Sequence, residues 1–139
     1  MNQSFKIYTD GGARGNPGPA AAAFVVINEG KVYYKKAKFL GKTTNNFAEY
    51  WGIILALNWL SKNTKTFQEK EISIFVDSQL VARQLAGLYR IKSNKLRPLS
   101  LLVKKLEKKI LKKVKYEELP RERNRLADAL VNKIIDENI

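Results

Sequence analysis

The sequence predicts an α/β fold: a five-stranded mixed sheet, made of an antiparallel meander of three strands plus two parallel strands, flanked by helices. Three observations predict it. Two separate segments, FKIYTDG and ISIFVDS, share an alternating pattern that ends in Asp. Residues 20–40 hold two further extended runs around Asn28-Glu29-Gly30-Lys31, a hairpin loop. From residue 43 onward helical and extended segments alternate, the order of a sheet with parallel strands covered on both faces.

Taken in order, Phe5 to Thr9 alternates as a strand and stops at Asp10-Gly11-Gly12, which reads as a turn running through Gly15-Asn16-Pro17-Gly18-Pro19. Strands follow at 20–27 and 32–40. Thr43 to Ser61 is apolar at helical density and is entered through Thr44-Asn45-Asn46, so it reads as a mostly buried helix. Residues 62–71 form a polar connection. Ile72 to Val76 is a strand, and Asp77-Ser78 opens a short helix to about Leu85. Residues 87–98 form a basic loop. Pro98 suits the first turn of a helix that reaches Lys113, with Leu99, Leu102, Val103, Leu106 and Ile110 on one face. A short strand at 114–119, a loop at 120–123 and a helix from Asn124 to Asp136 complete the chain.

With 139 residues the chain has the size of one domain, 1–139. It has no cysteine and no histidine. Disulfides, thiol nucleophiles, structural zinc and histidine bases are therefore excluded. Any metal must be held by oxygens, which favours Mg²⁺ or Mn²⁺. Lys plus Arg is 26 against 13 for Asp plus Glu, a formal charge of +13 that points to a polyanion, most often nucleic acid. No stretch is long enough for a membrane span, and MNQSFKIYTDGG lacks the apolar core of a signal peptide. A soluble, cytoplasmic protein is expected.

Four acids stand out. Counting by two places Lys6, Tyr8 and Asp10 on one face, and Ser73, Phe75 and Asp77 on one face. If those strands are parallel neighbours, Asp10 and Asp77 meet at one sheet end, where like charges repel unless a cation lies between them. Otherwise Asp10 is a turn residue and Asp77 a helix N-cap. Glu49 is the one charged residue between Thr44 and Ser61 and shares a side with Ile53 and Ala56. A buried lone carboxylate needs an ion pair or a metal. Asp128 lies at the edge of the last helix's apolar stripe, one turn from Asn124.

These residues carry a resemblance. Tyr8-Thr9-Asp10-Gly11-Gly12 with Gly15-Asn16-Pro17-Gly18, Thr44-Asn45-Asn46-Phe47-Ala48-Glu49, Val76-Asp77-Ser78-Gln79 and Asn124-Arg125-Leu126-Ala127-Asp128 follow one another as in ribonuclease H of type 1. The chain resembles that family along nearly its whole length. The resemblance implies a ribonuclease H-like catalytic domain that hydrolyses the RNA strand of RNA–DNA hybrids, leaving 5′-phosphate and 3′-hydroxyl ends. It implies that Asp10, Glu49, Asp77 and Asp128 bind two Mg²⁺ ions with substrate, Mn²⁺ substituting, with Asp10 bridging both. It further implies that Asn16, Asn45 and Gln79 reach nucleotide edges and 2′-hydroxyls, that Thr44 meets a DNA phosphate and that Asn124 contacts the RNA backbone. For the Asn residues, turn and cap chemistry is an equal alternative.

Two features depart from the family pattern. Many bacterial members carry a histidine in the loop before the fourth acid; Glu117 to Arg123 has none. Archaeal-like members have Arg there, so Arg121 is the first candidate for guiding the departing phosphate and Arg123 the second. The long basic insertion of some members is also missing, although Arg90, Lys92, Lys95 and Arg97 remain. A monomer acting on hybrid, with double-stranded RNA as a further substrate, is expected. A DNA-cleaving nuclease of related fold and a noncatalytic nucleic-acid-binding protein are the alternatives.

Overall fold

The computed structural model describes residues 5–67, 71–110 and 112–139. Strands β1 (Phe5–Ala13), β2 (Gly18–Asn28) and β3 (Lys31–Thr43) precede helix α1 (Asn45–Lys62). Then come β4 (Glu71–Val76), α2 (Gln79–Leu85), α3 (Arg97–Lys109), β5 (Lys113–Glu118) and α4 (Arg125–Glu137). The strands lie in the order β3-β2-β1-β4-β5. β1 and β3 pair antiparallel with β2, and β4 pairs parallel with both β1 and β5. This is the mixed sheet that the sequence pattern predicts.

Helices cover both faces. α1 is apolar on most sides because it is wedged between layers: Ile53, Ile54, Leu57 and Leu60 join Ile7, Phe24 and Val26 of the sheet and Val103 and Leu106 of α3 in one core. On the opposite face α4 lays Val131 and Ile135 on Ala21 and Ala23 of β2. Burying those two α4 side chains contributes roughly 1.5–3 kcal/mol each. The alanine run of β2 gives both layers a flat strand to pack on. Thr44 Oγ1 caps α1 by accepting from the Phe47 N–H, and Ser78 Oγ caps α2 by accepting from the Val81 N–H. Among the described residues, no helix is long and apolar enough to cross a membrane.

Several boundaries differ from the sequence expectation. Asp10, Gly11 and Gly12 belong to β1 rather than to a turn, because Gly11 and Gly12 pair with Ala22 and Ala21 of β2. Ser78, not Asp77, is the N-cap of α2. The lysine-rich helix α3 ends at Lys109, since Lys113 is already paired with Glu71 in the sheet. The expected polar connection at 62–71 contains a 3₁₀ turn at Thr64–Thr66 and the buried Phe67; residues 68–70 lie outside the described residues. The expected loop at 120–123 holds a 3₁₀ turn at Arg121–Arg123.

Candidate active site

The parallel register of β1 and β4 pairs Ile7 with Ile74, Tyr8 with Phe75 and Thr9 with Val76. The Tyr8 and Phe75 rings stack with centroids 5.0 Å apart, and Thr9 Oγ1 donates to the Phe75 carbonyl at 3.1 Å. One step beyond the paired residues, both strands reach an aspartate. Asp10 and Asp77 therefore meet at the carboxyl end of adjacent parallel strands, where ligand sites of such sheets lie.

Glycine brings the third acid in. A Cβ on Gly11 would sit 2.1 Å from the Ala48 carbonyl carbon, and one on Gly52 would sit 2.6 Å from the Asp10 carbonyl oxygen. The α1 backbone thus rests directly on the β1 backbone. That contact sets Glu49 against Asp10. One oxygen from each of Asp10, Glu49 and Asp77 lies within 4.8 Å of the others. Asp10 and Glu49 are only 4% and 6% exposed.

Such crowding disfavours ionisation. Burial, then the neighbouring charge of Asp77, pushes Asp10 from 3.8 up to about 7. The Asp128 charge adds to the rise, while hydrogen bonds from Glu49 and from the Gly11 backbone oppose it. Glu49 is raised well above its ordinary value by burial, and then by the charges of Asp10 and Asp77. The hydrogen bond between the two carboxyls favours the charged form of Asp10 and the neutral form of Glu49. Glu49 Oε2 is buried without a hydrogen-bond partner among the described residues. A buried acid with an orphan oxygen facing two more acids is a poor structural device and a good cation ligand.

Asp128 lines the same cleft, of about 300 Å³, from the first turn of α4 but is not part of the tight trio. Arg121 also lines this cleft, whereas Arg123 lines a separate hollow with Tyr8 and Leu126. The expectation that Asn124 contacts an RNA backbone is corrected: its side chain is inside the protein, at 1% exposure. Asn124 Nδ2 donates to the Thr9 carbonyl at 2.8 Å and to Asp77 Oδ2 at 3.2 Å, so it positions a carboxylate.

The exposed Asn16 and Asn45 brace the loop between β1 and β2 against the start of α1. The Asn45 N–H donates to Asn16 Oδ1 at 2.9 Å, and the Ala13 N–H donates to Asn45 Oδ1 at 2.8 Å. These contacts occupy the amide oxygens and aim the side-chain amides. Thr44 is the α1 cap, and Gln79 opens α2 with its amide against the Arg83 guanidinium. Arg14 and Asn132 also line the cleft, and sequence reasoning missed both. Arg14 bonds to Asn132 and pairs with Asp136, contacts that arise where α4 crosses the β1–β2 loop and leave no local signal. At Asn46 the cleft adjoins a groove of about 520 Å³ lined by Leu80, Tyr89, Arg90 and Lys92.

A family described as reverse transcriptase-like matches residues 8–134. The structure of LC11-RNase H1 in complex with an RNA/DNA hybrid is 36% identical and superposes with a TM-score of 0.90, covering 97% of this chain and 99% of that one. The chain belongs to the ribonuclease H type 1 family. RNase H1 from the archaeon Halobacterium salinarum, at 33% identity and a TM-score of 0.85, shares 96% of this chain and 98% of its own. The bifunctional protein Rv2228c of Mycobacterium tuberculosis is 36% identical over 132 residues, 94% of this chain. The chain spans about a third of that relative, 35% of its length. In this ribonuclease H chain, Asp10, Glu49 and Asp77 come from three separate motifs and are gathered by one strand pair and one helix.

Proposed function

We propose that residues 1–139 act as a catalytic domain, an endoribonuclease that cuts the RNA strand of RNA–DNA hybrids and leaves 5′-phosphate and 3′-hydroxyl ends. The observation that carries this reading is the trio of Asp10, Glu49 and Asp77, with oxygens within 4.8 Å of one another, in which Glu49 also has an oxygen buried without a hydrogen-bond partner among the described residues. The complex of the similar LC11-RNase H1 with an RNA/DNA hybrid supports the substrate class.

The donor set fits a divalent cation. It offers only hard oxygens, and a bound cation would offset the burial and like-charge repulsion that raise Asp10 and Glu49. We assign Mg²⁺, two ions with substrate, with Mn²⁺ as a substitute. Bound there, the ions supply Lewis acidity, which lowers the pKa of the attacking water and stabilises the leaving 3′-oxygen. Asp10, Glu49 and Asp77 would furnish the negative cradle that holds them. Asp128 adds a fourth charge from α4. Asn124 fixes the Asp77 carboxylate through the 3.2 Å bond. Arg121 holds the phosphate at the cleft mouth as it departs; a guanidinium binds it but carries no proton away at neutral pH.

Substrate enters this reading through shape and 2′-hydroxyls. Asn16, Asn45 and Gln79 present amides to the cut strand and its partner, and Thr44 stands at the α1 N-terminus for a DNA phosphate. The cleft and the basic groove that adjoin at Asn46 give the two strands of a hybrid separate tracks. We take the working form to be a cytoplasmic monomer.

The test is cleavage of end-labelled hybrid, double-stranded RNA, double-stranded DNA and both single strands side by side in Mg²⁺. Cutting of the RNA strand of the hybrid is expected, with weaker cutting of double-stranded RNA permitted. Cutting of DNA, or none of any substrate, overturns the proposal.

A further inference from the structure

The edge strand β3 carries Lys31, Lys35, Lys36, Lys38 and Lys42 and no acid. Its pairing slips by one residue: Val26 faces Tyr34 and Ile27 faces Val32, so Tyr33 is the extra residue of a bulge. A bulge re-aims side chains. Tyr33 and Tyr34, although adjacent, both reach Trp59 of α1, with ring centroids 6.3 and 5.2 Å away. Tyr34 stacks on Trp59 at 14°, and Tyr33 meets Phe5 edge-on at 5.2 Å. Both tyrosines stay open to solvent, 50% and 38% exposed.

Alternation from Tyr34 places Lys36 and Lys38 on the same face. Lys38 Nζ stands 4.8 Å from the Trp51 ring centroid. Lys36, Lys38, Trp51 and Asn58 line a groove of about 420 Å³ over Leu102 and Leu106, with no acid in its lining. Lysines alone would be explained as guards against strand pairing at a sheet edge. That explanation does not cover two exposed rings on the same face, which add apolar surface where an edge needs none.

Positive charge beside upturned aromatic rings fits a polyanion that offers free π faces. A duplex hides its base faces in its own stack. A single strand presents them, and base–aromatic stacking over a basic track is how single strands are held without sequence preference. An acidic peptide would use the lysines and leave the tyrosines idle. We propose that this face of β3 is a second nucleic-acid surface that holds a single-stranded segment, its bases on Tyr33 and Tyr34 and its phosphates on Lys36 and Lys38. Phe5, beside Tyr33, lies five residues back along β1 from Asp10, about 17 Å by strand rise. The tyrosine end is therefore distant from the carboxylate cleft, while Lys38, level with Gly11 through Ala22 of β2, stands two strands from it, so the track suits the unpaired continuation of a strand engaged there.

The test reads binding, not cleavage. A fluorescently labelled pyrimidine DNA strand is titrated in chelator against the full chain by anisotropy. Tyr33→Ala is expected to weaken binding roughly fivefold or more, the scale of one lost base stack. Tyr33→Phe is expected to bind as wild type does. The pair Lys36→Ala and Lys38→Ala should lower affinity and flatten its salt dependence more than Lys104→Ala with Lys108→Ala, a control pair on the exposed side of α3. All these variants should cleave blunt hybrid at the wild-type rate. Unchanged binding by Tyr33→Ala, an equal loss in the control pair, or equal displacement by a polyglutamate peptide would overturn the proposal. Photo-crosslinking of a halouracil-substituted strand to wild-type protein needs no variant: crosslinks at Tyr33, Tyr34 or Trp59 support the surface, and crosslinks confined elsewhere refute it.

Discussion

Replacing Asp10 by Asn should make the metal-free protein more stable, by an amount that grows with pH. The folded chain raises Asp10 from 3.8 to about 7, chiefly by burial and then by the charge of Asp77. A group whose folded pKa lies above its unfolded value loses its proton first in the unfolded chain. Stability therefore falls as pH rises from about 3.8 to about 7 and then levels off. At about 1.36 kcal/mol per pKa unit, ionised Asp10 costs the fold about 4 kcal/mol at neutral pH and above. Asparagine removes that charge but recovers only part of the cost, because Glu49 stays buried and the new amide NH₂ replaces an acceptor oxygen. We expect a gain of about 2 kcal/mol near pH 8 and under about 1 kcal/mol near pH 5, half of what the titration alone gives. The assay is urea unfolding of wild type and Asp10→Asn in chelator at both pH values. Added Mg²⁺ should stabilise wild type more than the variant, since only folded-state binding shifts the equilibrium. A variant less stable than wild type at both pH values, or a gap independent of pH, would show that the acids are structurally paired rather than mutually repelling.

Other outcomes follow from the same geometry. Gly11→Ala drives a Cβ into the Ala48 backbone at 2.1 Å and should cost at least about 3 kcal/mol in unfolding, whereas Gly12→Ala meets Val131 Cγ1 at an ordinary 3.7 Å and should be tolerated; equal costs would refute the backbone-contact argument. Arg121→Ala should slow steady-state turnover more than Arg121→Lys, because charge at the cleft mouth is the proposed feature; if neither changes the rate, the role passes to Arg123 or is absent. Cleavage should run in Mg²⁺ or Mn²⁺ and fail in Ca²⁺, whose longer, looser coordination spoils alignment; activity in Zn²⁺ with none in Mg²⁺ would contradict the hard-oxygen site.

The strand pair and its two aspartates were legible because alternation with period two is local and ends visibly at Asp10 and Asp77. Glu49 was legible because a lone charge in an apolar helix has few physical excuses. What was hidden depends on contacts distant in sequence. Gly11-Gly12 looks like a turn in isolation; it is strand because both residues pair with β2, and Gly11 leaves the α1 backbone its space. Asn124 looked like a surface residue before a helix, yet its amide turns inward to Thr9, 115 positions away. Lysines 104–113 are good helix formers and give no stop signal; the pairing of Lys113 with Glu71 ends α3. The bulge at Tyr33 leaves no trace in a sequence that alternates poorly there.

The central claim is that Asp10, Glu49 and Asp77 form a cation cradle whose purpose is hydrolysis. Single-turnover cleavage of labelled hybrid by Asp10→Asn in Mg²⁺, with hybrid affinity measured alongside in chelator, tests it most directly. The variant should bind hybrid as wild type does, because affinity rests on the basic residues, and should retain less than about one tenth of the wild-type rate, since lost Lewis-acid stabilisation is worth several kcal/mol. A variant that binds normally and cuts at more than that rate would contradict the assignment.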